Sequence, residues 1–139
     1  MTSVTKLCHR LIPAMLAAGH GRVIDLASVA GRIASGGDSQ YGPSKAYVIA
    51  LSEALALTVK GQGVNVSALC PGFTHTDFQA TAGMDDIKKT TPRWLWHGAE
   101  EFVGEGINVV SQGKAIVVSG RLYRWLDPLM PVSYTHLTL

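Results

Sequence analysis

Apolar residues recur along this chain with two periods, and the switches between them mark out its elements. In the first stretch Leu7, Leu11 and Met15 fall at helical spacing with Cys8 and Ile12 beside them, which predicts a core helix over residues 2–18. Pro13 must either kink that helix or sit where no backbone donor is needed. The run Gly19, His20, Gly21 then ends it, as glycine commonly does at a helix C-terminus. Residues 22–27 and 64–69 are short β-branched runs, apolar on both faces, as strands of a buried parallel sheet are. Between them a glycine- and serine-rich loop over 31–39 leads into a helix over 40–60. Pro43 is tolerable there because it lies near the first turn.

That second helix is apolar almost all round, through Ala46, Tyr47, Val48, Ile49, Ala50, Leu51, Ala54, Leu55, Ala56 and Leu57. A helix of this kind is covered on more than one side. One side can face the sheet, and a subunit interface is the reading for the other, against a partner within the chain. After Pro71 and Gly72 comes a polar loop with Thr74, Thr76 and Asp77. Residues 80–112 read as loop and helices, with Trp94 and Trp96 close together and a helix over 99–111. The tryptophans could line a substrate pocket or simply pack. A third buried strand follows at 115–118. Helix, strand, helix, strand, helices, strand is the alternation of a parallel α/β sheet.

The polar residues that break this pattern carry the candidate chemistry. Ser28 stands at the end of the first strand, Tyr41 thirteen residues later and Lys45 four beyond that. Residues four apart on a helix share a face. A phenol beside an ammonium suits proton transfer to or from an oxygen, because a cation about 4 Å away favours the phenolate by roughly 1 to 4 kcal/mol. A hydroxyl at a strand end could donate to the same oxygen. The three together read as a carbonyl–alcohol site.

Composition changes this picture little. The 139 residues suffice for one ordinary domain, and 47% hydrophobic against 16% charged residues gives a globular chain. A net charge of +2 without a Lys/Arg run gives no nucleic-acid footprint. Cys8 and Cys70 are far apart and lack ligand spacing, so they are expected to be buried, reduced thiols of a cytoplasmic protein, with no metal. The opening run is a poor signal peptide, being broken by Pro13, and no stretch approaches the length needed to span a membrane.

Ser28, Tyr41 and Lys45, with the run RVIDLAS before them and CPG at residues 70–72 after, resemble the short-chain dehydrogenase/reductase family. The resemblance covers about residues 2–125, and it covers only the second half of the family's domain. It implies an incomplete α/β, doubly wound parallel sheet of the Rossmann type, lacking the amino-terminal strands. It also implies an NAD- or NADP-dependent oxidoreductase acting on a small carbonyl or alcohol. In that family the tyrosine gives or takes the proton. The lysine makes the phenol a stronger acid and bonds the nicotinamide ribose, while the serine holds the substrate oxygen. Pro71 and Gly72 would approach the nicotinamide, and Thr76 would help hold the cofactor alongside Tyr41 and Lys45. Members commonly dimerise through the 40–60 helix and the one before it, so a homo-oligomer is expected.

Two departures stand out. Asp25 occupies a place where the family usually has asparagine, and an acid there must find donors or water, or stay protonated. The glycine-rich cofactor loop has no counterpart. Residues 1–127 are therefore expected to be the carboxyl-terminal part of a longer reductase, inactive alone. Residues 128–139 would be a disordered or artefactual tail, in which SYTHLTL looks like adapter read-through. Two other classes compete with this reading. One is a non-catalytic binding or oligomerisation module. The other is a serine hydrolase, prompted by Gly37, Asp38 and Ser39, although the chain has no G-x-S-x-G elbow.

Overall fold

The computed structural model describes residues 2–33, 39–72 and 99–119. Helix α1 spans Thr2–Ala18, strand β1 Gly21–Leu26, and a single 3-10 turn Val29–Gly31. Helix α2 follows at Tyr41–Thr58, strand β2 at Val64–Cys70, helix α3 at Ala99–Ser111 and strand β3 at Ile116–Val118. The strands form one parallel sheet in the order β1-β2-β3. Parallel neighbours need a crossover of a dozen or more residues, and α2 supplies the one between β1 and β2.

The register assigns side chains to faces. Asp25 pairs with Ala68 and Leu26 with Leu69, so alternate residues of both strands share a side. On one side Val64 and Val66 pack with Cys8 and Ile12 of α1 and with Val59, while Ala68 and Cys70 pack with Val48 and Ile49 of α2. On the other, Leu69 and Val117 meet Phe102 of α3. The sheet thus has helices on both faces, as its parallel strands require.

β2 is buried as its sequence predicts, with only Asn65 half-exposed. β1 is not buried on both faces. Ile24 and Leu26 remain 37% and 55% exposed. The closest approach of α3 is to β2, where a Cβ on Gly106 would stand 3.0 Å from Leu69, and among the described residues its contact with β1 covers Ile24 and Leu26 only in part. β1 pairs only with β2 among the described residues.

The prolines within α1 and α2 fall where their missing donors cost least. Pro43 is the third residue of α2, inside the turn whose N–H groups have no helical partner. Pro13 lies within α1 on its exposed side, where water can satisfy the carbonyl it cannot engage. At the other end of the sheet the turns before β1 and β2 touch. Gly63 has φ +78°, and a Cβ there would run into the Gly19 carbonyl. Glycine is needed at that contact.

Candidate active site

The carboxyl ends of the strands and the start of α2 come together. In open α/β sheets this is the end that binds ligands. The ladder continues past β1, with the Ala27 N–H donating to Leu69 O at 2.8 Å and the Val29 N–H to Pro71 O at 3.1 Å. Those two bonds fix Ser28 beside the turn of Pro71 and Gly72. Ser28 is itself extended, at φ −166° and ψ 156°, and caps the 3-10 turn by accepting from the Ala30 N–H at 3.2 Å. Accepting that bond leaves the hydroxyl proton available to a substrate oxygen.

Tyr41 is the first residue of α2, and Lys45 lies one turn on. The Lys45 ammonium donates to Leu26 O at 3.0 Å and stands 5.6 Å from the centre of the Tyr41 ring. It is thereby held between the strand end and the phenol, within the range at which a cation and an aromatic face attract. Burial lowers the Lys45 pKa from its usual 10.5, with Cys70 acting in the opposite direction. The 3-10 turn presses on the same helix. A Cβ on Gly31 would stand 2.7 Å from both the Lys45 carbonyl carbon and the Ala46 nitrogen. Gly31→Ala should push α2 off the strand ends and cost about 1–3 kcal/mol, the usual cost of overpacking. A thermal melt would read that loss.

Thr76, Thr74, Asp77, Trp94, Trp96, Gly37 and Asp38, along with residues 120–139, lie outside the described residues. Ser39 sits in a bend just before α2. Among the described residues no group of three His, Cys, Asp or Glu is placed to hold a metal, and no helix is long and apolar enough to cross a membrane.

Two features escaped the sequence reading. One is the Leu26 carbonyl as the Lys45 acceptor, a backbone atom that no side-chain pattern announces. The other is the set of partners found by Asp25, which is 8% exposed. Ser52 Oγ lies 2.8 Å from its carboxylate and Cys8 Sγ lies 3.7 and 3.9 Å from its two oxygens. Ser52 is a polar break in the apolar stripe of α2, seven residues after Lys45, and that spacing was the available signal.

Burial first, and then the Asp25 carboxylate, pushes the Cys8 thiol up from 9.0 to about 11. A thiol that keeps its proton longer when folded contributes stability that is complete below about pH 9 and lost as pH rises through about 11. At about 1.4 kcal/mol per unit the full shift would carry roughly 3 kcal/mol, and solvent screening keeps the loss below that. Urea unfolding across that window should show a steeper alkaline decline in the native chain than in Cys8→Ala.

A family model described as short chain dehydrogenase matches residues 1–86. The 3-oxoacyl-[acyl-carrier-protein] reductase of Escherichia coli (strain K12) is 30% identical over 123 residues, covering 86% of this chain and 50% of that protein. The enzyme of the same name from Chlamydia pneumoniae is 35% identical over 95 residues, 68% of this chain and 37% of its own length. Among solved structures, a short-chain dehydrogenase from Sphingobium yanoikuyae in complex with NADPH superposes with a TM-score of 0.76 at 26% identity, covering 99% of this chain and 53% of that one. A putative NAD(P)-dependent gluconate 5-dehydrogenase from Beutenbergia cavernae with bound NADP gives a TM-score of 0.66 at 29% identity, covering 81% and 49%. The chain spans about half the length or less of these relatives.

Proposed function

This chain belongs to the short-chain dehydrogenase family, and on that premise we propose that its strand ends form the carbonyl-handling part of a nicotinamide-dependent oxidoreductase. The observation that carries the reading is the clamp on Lys45, whose ammonium is held at the Leu26 carbonyl and near the Tyr41 ring. A cation so placed stabilises negative charge developing on the phenol oxygen. Tyr41 then acts as general acid towards a ketone and as general base towards an alcohol. Ser28 orients the same oxygen with its free proton.

The described residues suit the nicotinamide end of NAD or NADP. Lys45 offers donors to a ribose hydroxyl, and Pro71 and Gly72 offer backbone with little side-chain bulk at the strand end. Thr76 is proposed to assist. When bound, the cofactor supplies or accepts hydride at the carbonyl carbon. Nothing in the sequence matches the glycine-rich turn at a helix N-terminus that cradles a pyrophosphate, so these residues alone should hold the cofactor weakly.

Substrate and partner belong to the same proposal. The 3-oxoacyl reductases to which the chain is similar make a 3-oxoacyl group the first ketone to try. The outer faces of α1 and α2 leave Leu7 at 57%, Leu11 at 50% and Leu57 at 73% exposed, and a second copy would cover them.

Joining the chain to the amino-terminal half of the Escherichia coli relative and following NADPH oxidation with a 3-oxoacyl substrate and a panel of simple ketones tests the reading. Ketone-dependent oxidation by the fused protein, and none by the chain alone, is expected. A soluble fusion that binds NADPH and reduces no ketone would sink it, leaving the module that only binds partners.

A further inference from the structure

Behind the strand ends lies a buried polar cluster that the proposed chemistry does not use. The Asp25 carboxylate faces two helices at once, with the Ser52 hydroxyl on α2 and the Cys8 thiol on α1. A buried carboxylate is costly unless hydrogen bonds satisfy it, so this contact holds its three elements together. Ser52 is wholly buried, and its Oγ also lies 2.8 Å from Val48 O. Its single proton therefore serves either the helix's own carbonyl or the carboxylate.

The cluster is in line with the site. On β1, Asp25 immediately precedes Leu26, whose carbonyl receives Lys45. On α2, Ser52 lies seven residues beyond Lys45, two turns along one stripe, with Val48 and Ile49 buried between them. Strand and helix are thus joined at two polar points, Leu26 with Lys45 and Asp25 with Ser52. Apolar packing alone is non-directional and leaves a helix free to slide by small amounts. Two directional contacts on one line do not.

We propose that Asp25 and Ser52 are positioning residues that fix α2 on β1 and thereby hold the Lys45 ammonium at the Leu26 carbonyl beside the Tyr41 ring. The inference rests on Lys45 belonging to the reacting site, as argued above, while the lock itself is a matter of geometry. Asp25 acts as an acceptor, so an amide can replace it and an alkyl group cannot.

The test reads Lys45 directly and needs no turnover. The pH dependence of amine acylation, resolved residue by residue by mass spectrometry on the chain, gives the Lys45 midpoint with Lys6 and Lys60 as references in the same samples. Among the described residues Tyr41 and Cys70 are the titratable groups beside the ammonium, and none of the variants alters them. Ser52→Ala, a helix-favouring change, should release Lys45 towards solvent and raise its midpoint towards the ordinary lysine value. Asp25→Ala should do the same, and Asp25→Asn should not. Cys8→Ala, which touches the other side of the carboxylate, and Val59→Ala, which loosens α2 at its far end, should leave Lys45 unmoved. An unchanged midpoint in Ser52→Ala would overturn the proposal, as would an equal rise in Val59→Ala, which would reduce the lock to ordinary packing. Either result leaves the oxidoreductase reading untouched, since that stands or falls on ketone-dependent oxidation.

Discussion

Replacing Tyr41 with phenylalanine in the fused enzyme should lower ketone reduction by at least about 100-fold, the low end of what a positioned proton donor contributes. Cofactor affinity should stay within a few-fold of the parent. The split follows from what the substitution removes. Tyr41 is half-buried at the first position of α2, so the ring keeps its packing and its place beside Lys45 while the phenol oxygen alone is lost. Hydride reaching a carbonyl carbon builds negative charge on oxygen, and without the phenol no side chain of the proposed set delivers a proton there. Single-turnover oxidation of bound NADPH separates the two effects. Retention of more than about a tenth of the rate would remove Tyr41 from the acid–base role.

Lys45→Ala should harm both rate and cofactor affinity, because one ammonium is assigned both the ribose and the phenol. It should also loosen the site, since the same nitrogen is bonded to Leu26 O. Lys45→Arg keeps the charge but spreads it over a planar fork, which cannot place the same point charge beside the phenol. Its rate should therefore lie well below the parent's and above that of the alanine variant. Rate and affinity measured together read this: an alanine variant that binds cofactor as the parent does would take the ribose contact out of the account.

The sequence showed the architecture well where periodicity was strong. Helices α1 and α3 begin and end where the spacing of their apolar residues places them, and β2 reads as a buried strand because it has neighbours on both edges and helices on both faces. β1 looked the same in sequence and differs in structure, since a strand's burial depends on what lies beside it and no residue of β1 itself reports that. α2 starts at Tyr41 and not at Gln40, whose side chain makes no capping bond. The proposed site was partly legible for a similar reason. Ser28, Tyr41 and Lys45 are side chains at characteristic spacing, whereas the Leu26 carbonyl is a backbone group supplied by the pairing of a strand with a helix nineteen residues away. Asp25 was visible as an acid in an apolar strand, and its need for donors followed from burial. Which donors would reach it depended on the rotation of α1 and α2, which the chain settles only on folding.

The claim at the centre of this account is that Ser28 and Tyr41 converge on one substrate oxygen beside the clamped Lys45. A crystal structure of the fused protein with NADP and a bound ketone measures that convergence directly. The account predicts the ketone oxygen within about 2.5–3.0 Å of both Ser28 Oγ and the Tyr41 phenol oxygen, with Lys45 Nζ still at the Leu26 carbonyl. A ketone oxygen out of hydrogen-bond reach of Tyr41, in a fused protein that reduces the same ketone with NADPH in solution, would contradict it.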